Sequence, residues 1–292
     1  MREIRLFSRD EQKHVALRRK CDDPRVKFLV GDVRDYARTA RAVRGVDFVF
    51  HAAALKHVHF TELHPYEAVR TNIEGAYNVG RACVDAGVRK LIAVSTDKAV
   101  QPVNVMGMTK AIQERLICSL SGEGGLKAGC VRYGNVLASN GSVVPYFADL
   151  LRQGERTLPV TDLRMTRFML TLRESIELVL FACAAVEAGE VVVADLPAFR
   201  IADLAEVLLD AHGGGHIRGL GVRPGEKIHE CLISNEEMRR TERREGYYVI
   251  RHYDSPDSHY EDVDGEYSSG TARLLSKGEL RDILVREEFL VA

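Results

Sequence analysis

The sequence predicts an α/β protein, a doubly wound parallel sheet covered by helices, joined to a smaller C-terminal α/β lobe. Three observations carry this expectation. Short apolar runs alternate with amphipathic stretches from the first residue to about residue 134, the pattern of strands separated by crossover helices. After Gly134 the alternation lapses into shorter, mixed elements. Small and polar residues cluster just past several apolar runs, the edge at which open α/β sheets bind ligands.

In chain order, strands are expected at Glu3 to Phe7, Val26 to Val30, Val46 to Phe50, Lys90 to Ser95 and Ala128 to Tyr133. Helices are expected at Arg9 to Lys20, Asp35 to Arg44, Pro65 to Ala86 and Asn104 to Leu120, with Gly87 ending the third because glycine takes the left-handed cap conformation cheaply. The second lobe is expected to contain a helix from near Thr171, a strand Val191 to Ala194, a helix Ile201 to His212 and a turn at Gly213 to Gly215. The segment from Tyr253 to Ser269, rich in Asp, Ser, Gly and Tyr, reads as irregular surface chain. The expected domains are therefore 1–134, 135–252 and a tail with a helix at 253–292.

Over 292 residues, 41 basic side chains balance 42 acidic ones, so no global field draws the chain to nucleic acid or to an anionic membrane. A small molecule or a second copy of the chain is the expected partner, which makes a homo-oligomer the expected assembly. The six cysteines have no metal-ligand spacing and read as reduced thiols of a cytoplasmic protein. No apolar run reaches the ~20 residues of a membrane helix.

A dinucleotide-binding Rossmann unit opens with a strand and a glycine-rich turn whose amides face the pyrophosphate. Here the first expected strand has the features of the second strand of such a unit, and no G-x-G-x-x-G precedes it. The missing strand and turn are expected upstream, or the chain is a fragment. Ser8 and Arg9 at that strand's tip suit the 2′-phosphate of NADP, whereas an acidic residue would favour NAD; a solvated Arg at a helix start is the competing reading. Asp32, followed by Val33, either accepts from an adenine amino group or caps a helix. Ala52, Ala53 and Ala54 let backbone approach a ligand, and Lys56 and His57 follow within reach of a substrate, although a histidine in such a place also serves structure.

Ser95-Thr96-Asp97-Lys98 lies directly beyond a strand, and Lys110 follows behind Gly107-Met108-Thr109. In short-chain dehydrogenases a strand-end Ser/Thr works with a Tyr-x-x-x-Lys pair, but here Met106 holds the tyrosine position. Methionine cannot accept a proton, so Asp97 and Lys98 must do more or the site is inactive.

The segments SRDE (8–11), GDVRD (31–35), HAAALKHV (51–58), STDKAV (95–100), VRYGNVLASNGSVVP (131–145), TDLRMTRF (161–168) and GVRPGEKIHE (221–230) resemble the polysaccharide-biosynthesis family of inverting UDP-N-acetylglucosamine 4,6-dehydratases, within the extended short-chain dehydrogenase/reductase superfamily. They span nearly the whole chain in order. The methionine in N-x-M-G-x-[TS]-K resembles the capsule and O-antigen branch, which leads towards UDP-N-acetyl-L-fucosamine. The resemblance implies catalysis by Thr96, Asp97, Lys98 and Lys110 with Met106 shaping the pocket. It implies NADP held by Ser8, Arg9, Asp32, Val33, Ala52, Ala53, Ala54, Asn72 and Lys110. It further implies a UDP-sugar held by Lys56, His57, Asn135, Arg164, Arg167, Arg223 and Glu226, where guanidinium groups suit a diphosphate.

The implied reaction is a closed redox cycle in which hydride leaves C4, water leaves from C6, hydride returns to C6 and C5 is reprotonated on the opposite face. Asp97 would be the acid and Lys98 the base. Their ordinary pKa values, about 3.9 and 10.4, are reversed for those jobs, so desolvation is expected to favour the neutral pair. Two rivals remain: a nucleotide-sugar 4-epimerase, which does not need an elimination acid and base, and a non-catalytic truncated homologue.

Overall fold

The computed structural model describes residues 1–137, 139, 141–255 and 265–290. The chain divides into two compact units. Unit 1 comprises Met1–Ser95, Val105–Val131 and Ala182–Val191; unit 2 comprises Thr96–Asn104, Arg132–Phe181 and Val192–Ala292.

Unit 1 begins as alternating strand and helix: β1 (Ile4–Ser8), α1 (Glu11–Lys20), β2 (Val26–Val30), α2 (Tyr36–Val43) and β3 (Phe48–His51). Asp10 and Asp35 start the two helices, each carboxylate accepting from a backbone N–H three residues on, which satisfies one of the donors a helix N-terminus leaves open. Arg18, Arg19 and Lys20 in the last turn of α1 oppose its negative end. There follow α3 (Val58–Leu63), α4 (Pro65–Ala68), α5 (Gly75–Asp85), β4 (Lys90–Val94), α6 (Val105–Ser119) and β5 (Lys127–Arg132).

The strands of unit 1 form two parallel groups. β1 pairs with β2, while β3, β4 and β5 pair in that order with Phe48, Lys90 and Lys127 in register. No ladder joins β1 to β3 among the described residues. Leu91, Ile92 and Ala93 of β4 are fully buried, as suits a strand covered on both faces, whereas Phe48 and Phe50 of β3 are exposed.

One expected helix is not continuous. Between α4 and α5 the backbone widens into a π-helical stretch, Val69–Glu74, which carries the fully buried Asn72. The Asn72 amide accepts from Leu55 N (2.7 Å) and donates to Leu55 O (3.0 Å) and Thr109 Oγ1 (2.9 Å). The wider turn thus places one amide to hold the loop after β3. Beyond α5, Gly87 takes φ +67, in keeping with its expected place past the helix end.

Unit 2 is a mixed lobe of short elements: β6 (Asn135–Val136), α7 (Val143–Arg152), β7 (Thr157–Val160), β8 (Thr166–Leu170), α8 (Leu172–Ala185), β9 (Val191–Ala194), β10 (Ala198–Arg200), α9 (Ile201–Ala211) and β11 (His216–Gly219). The chain continues through β12 (Cys231–Ile233), α10 (Asn235–Met238), β13 (Thr241–Arg244), β14 (Tyr247–Ile250), β15 (Tyr267–Ser268) and α11 (Lys277–Arg286). β8 lies between β10, antiparallel, and β6, parallel. The β13–β14 hairpin turns through Glu245 and Gly246, both at positive φ, the conformation that matches strand twist in a two-residue loop. Phe147, Leu158, Leu204, Leu208, Leu280 and Leu284 are the large side chains of one buried cluster.

Arg132 forks onto Glu237 at 2.8 and 2.7 Å, with both side chains nearly enclosed. Burial alone would raise the Glu237 carboxyl, but Arg132 and the Ser234 backbone override it and bring it down to about 2. Part of the expected irregular tail, residues 256–264, lies outside the described residues. No described helix is long and apolar enough to cross a membrane.

Candidate active site

The residues singled out in the sequence fall into two groups, one in each unit. In unit 1, Ser8 ends β1 and its hydroxyl accepts from Asp10 N at 3.1 Å. Arg9 is exposed and stands 3.7 Å from Asp32, whose carboxylate is forked by Arg34 at 2.7 and 3.0 Å. Asp32 also accepts from Arg34 N, so in this arrangement its oxygens are engaged by neighbours in its own turn. Val33 is buried and packs under Gly75, where an added Cβ would come within 2.7 Å of it. Ala52, Ala53, Lys56 and His57 are exposed after β3, and Ala54 is half-buried. Asn72 spends its amide on Leu55 and Thr109, so it shapes the loop from within.

Lys110 is buried on α6 and donates to Val94 O (2.6 Å) and Gln113 Oε1 (2.8 Å). Burial pushes its ammonium down to about 8. Burial, with Lys110 adding to it, likewise pushes the His51 imidazole down to about 3, so His51 is neutral. Met106 is buried in the first turn of the same helix. A nicotinamide dinucleotide fits these residues. Exposed alanines follow β3, the exposed Arg9 stands 3.7 Å from Asp32, and the buried Ser95 hydroxyl has no partner in the protein.

In unit 2, Thr96 caps a single turn of 3₁₀ helix, Asp97–Ala99. Asp97 is fully buried. Its N–H donates to Tyr133 O (3.2 Å), and its Oδ1 accepts from Thr96 Oγ1 (2.8 Å) and Lys98 Nζ (3.0 Å). Its Oδ2 is buried with no partner. Gly134 makes room for that oxygen: a Cβ there would lie 3.1 Å from Asp97 Oδ2 and 2.9 Å from Phe168 Cβ. Beside it, Asn135 Oδ1 is also buried and unpartnered.

Lys98 Nζ reaches a second carboxylate, Glu230 Oε1, at 3.2 Å, and Arg167 Nε stands 3.8 Å from the same oxygen. Burial would push the Lys98 ammonium down, but Asp97 and Glu230 outweigh it and hold the group above the ordinary lysine range, with Arg167 opposing weakly. The expectation that desolvation favours the neutral pair is therefore corrected: two carboxylates on one ammonium overcome burial and keep Lys98 charged.

The substrate residues expected from the sequence are placed unevenly. Arg167 is largely enclosed and donates to Thr166 O, Ile228 O and Lys227 O, so it binds the 227–228 backbone. Arg164 is exposed and paired with Asp162, Arg223 is exposed, and Glu226 is half-buried in the turn that follows. This 221–230 segment is tied to the chain that follows the Asp97–Ala99 turn by Lys227 Nζ on Val100 O and Asn104 Nδ2 on Gly225 O. Glu230 ends the GVRPGEKIHE segment, and nothing local marks it as a glutamate that meets Lys98 only through folding.

The sequence profile of the family described as polysaccharide biosynthesis protein matches residues 1–252. The chain belongs to that family. Among its relatives is a UDP-N-acetylglucosamine 4,6-dehydratase (inverting) of Campylobacter jejuni, 42% identical over 268 residues, covering 91% of this chain and 78% of the relative. A protein named UDP-glucose 4-epimerase from Rickettsia canadensis is also 42% identical, over 299 residues, covering 98% of this chain and 87% of the relative. The solved structure of Pen from Bacillus thuringiensis superposes with a TM-score of 0.92 at 34% identity, covering 99% of this chain and 91% of that one. The chain thus sits among nucleotide-sugar dehydratases and epimerases with a Rossmann-like α/β fold.

Proposed function

We propose that the chain is a UDP-N-acetylglucosamine 4,6-dehydratase that inverts C5, uses NADP, and supplies capsule or O-antigen synthesis on the way to UDP-N-acetyl-L-fucosamine. The observation that carries the reading is the contact at 3.0 Å between a buried carboxylate and a lysine, Asp97 and Lys98. Elimination needs an acid for the leaving hydroxyl and a base for the hydrogen on the neighbouring carbon. Epimerisation at C4 needs neither. The name of the Rickettsia relative favours a UDP-glucose 4-epimerase as the second reading.

Ser8, Arg9, Lys110 and the alanines after β3 would hold the nicotinamide cofactor. When bound, it would supply the hydride chemistry at C4 and C6. Lys110, forced towards neutrality by burial, would donate to a ribose hydroxyl. The C4 ketone acidifies H5; once the shared proton has passed from Lys98 to Asp97, Lys98 Nζ takes H5 and Asp97 gives its proton to the C6 hydroxyl as it leaves as water. Met106 only shapes the pocket. Arg223 and Arg164, exposed and rich in donors, are the candidates for the diphosphate, while Asn135 Oδ1, Lys56 and His57 are candidates for the sugar.

Incubation with UDP-N-acetylglucosamine and NADP in D₂O tests the proposal. The expected product is a 6-deoxy-4-keto sugar with deuterium at C5, and Asp97→Asn and Lys98→Ala should each lower its formation by ~10²–10⁴-fold, the usual worth of a positioned proton-transfer group. UDP-N-acetylgalactosamine in place of the keto sugar, or UDP-galactose from a parallel incubation with UDP-glucose, would establish the epimerase reading instead.

A further inference from the structure

The charged groups that face Lys98 come from four places in unit 2: Asp97 in its own turn, Arg167 on β8, Glu230 at the start of β12, and Lys227, which is committed to Val100 O. Tyr133, whose carbonyl receives Asp97 N–H, carries a phenol that burial raises and so keeps neutral. His229 is turned to Thr166, its Nδ1 2.7 Å from the hydroxyl. Lys98 and Arg167 are thus the basic groups that meet the Asp97 and Glu230 carboxyl groups.

The dehydration proposed above gives these charges an order. At rest one proton is shared by the Asp97–Lys98 pair and sits on Lys98. The productive form has it on Asp97, leaving Lys98 a free amine. When Lys98 takes H5, the C5–H electrons form the C5–C6 double bond, the C6–O bond breaks, and Asp97 delivers its proton to the departing hydroxyl. The pair is then back at rest with water released. During that step Lys98 becomes an ammonium before Asp97 has fully become a carboxylate. Among the described residues, Glu230 is the second carboxylate in contact with Lys98, and it takes no part in the proton transfer.

Resting on that reading, we propose that Glu230 is a positioning residue of the dehydration: its carboxylate holds the Lys98 side chain and supplies the standing counter-charge for the ammonium as Asp97 passes through its neutral form. Glu230 is 2% exposed, so this interaction is weakly screened. Its Oε2 is buried and has no partner, so the carboxylate is not consumed by a structural network. Its backbone is fixed separately, with N–H donating to Ser269 Oγ (2.9 Å) and C=O accepting from Ser269 N (2.7 Å). The strand start therefore does not depend on the carboxylate for its place.

The test is Glu230→Gln, which keeps size and shape and removes the charge, with Glu230→Asp as a second variant. For the dehydratase, kcat should fall on the order of 10²-fold, the scale of one preorganised electrostatic contact, with KM for UDP-N-acetylglucosamine little changed and partial recovery in Glu230→Asp. The alkaline limb of kcat, where the pair loses its one shared proton, should move to lower pH by about one unit or more, because an ammonium that loses an adjacent carboxylate deprotonates more easily. The pH dependence of acylation of Lys98 by acetic anhydride, followed by peptide mass spectrometry, should show the same shift and requires no turnover. Unmoved pH limb and labelling midpoint, or a loss confined to KM, would overturn the proposal. A wild-type protein that releases no keto sugar would sink the dehydratase reading. The labelling midpoint then still decides whether Glu230 holds the charge on Lys98.

Discussion

Gly134→Ala is a single methyl placed against the Asp97 carboxylate, and its consequences can be worked out from distances. The added Cβ would sit 2.9 Å from Phe168 Cβ and 3.1 Å from Asp97 Oδ2. Phe168 is fully buried on the middle strand of its three-stranded sheet, between β6 and β10, and has nowhere to retreat. Overpacking of this kind costs ~1–3 kcal/mol, and in a chain of this length each kilocalorie moves Tm by about 2–4 °C. A fall of roughly 2–12 °C is expected, together with displacement of Asp97 Oδ2, the carboxylate oxygen left unpartnered by the protein. Product formation should drop more than stability alone explains, because at the assay temperature nearly all molecules remain folded. Gly219→Ala is the matched control: that glycine has ordinary φ and no atom within 4 Å of an added Cβ, so the change should be neutral or stabilising by up to about 1 kcal/mol. Differential scanning calorimetry and initial rates on both variants decide it. Equal Tm shifts in the two, or full kcat in Gly134→Ala, would refute the idea that glycine is required here to seat Asp97.

Other perturbations follow from charges in the two units. Lys110 has a folded pKa near 8 against a reference near 10.5; a base lowered on folding destabilises the native state below pH 8, and the penalty fades as pH rises from about 8 to 10.5. At ~1.36 kcal/mol per unit it is at most about 3 kcal/mol, partly offset by the two hydrogen bonds of Nζ. Lys110→Met should therefore melt higher than wild type at pH 7 with a margin that narrows above pH 8, and a lower Tm at pH 7 would contradict this. Arg132→Met leaves the Glu237 charge uncompensated and should cost about 3–5 kcal/mol in urea unfolding at pH 7. Because the Glu237 carboxyl is lowered on folding, the gap should close as pH falls from about 4.5 towards 2, and Arg132→Met with Glu237→Leu should recover much of the loss. Arg9→Ala should reduce preference for NADP over NAD about tenfold, or ~1.4 kcal/mol, in cofactor titration; an unchanged ratio would remove Arg9 from the cofactor site.

Elements whose signals are local were legible before folding was considered. The strand at Val26–Val30 and that at Val191–Ala194 have the expected bounds, because apolar runs of that length with polar borders have one economical conformation in a parallel sheet. Asp10 and Asp35 mark helix starts through a side chain that reaches only three residues ahead. The short helix α3 and the strands flanking β8 were not foreseen, since two to six residues are too few to establish a period. The expected Pro65 to Ala86 helix is interrupted by a π-helical stretch because Asn72 finds its three partners on Leu55 and Thr109, which no pattern within the helix announces.

By itself the sequence determined the alternating α/β order, the family, and the adjacency of Asp97 to Lys98, all of which follow from neighbours along the chain. Only the tertiary structure decided the charge on Lys98. Glu230 arrives at 3.2 Å from a distant segment, and Gly134 leaves the space in which Asp97 Oδ2 lies. Electrostatic energy depends on separation in space, and burial depends on what packs around a group, so neither is written in residue spacing. A lysine that looked destined for neutrality in a dry pocket is instead held as a cation, because folding brings a second carboxylate to it.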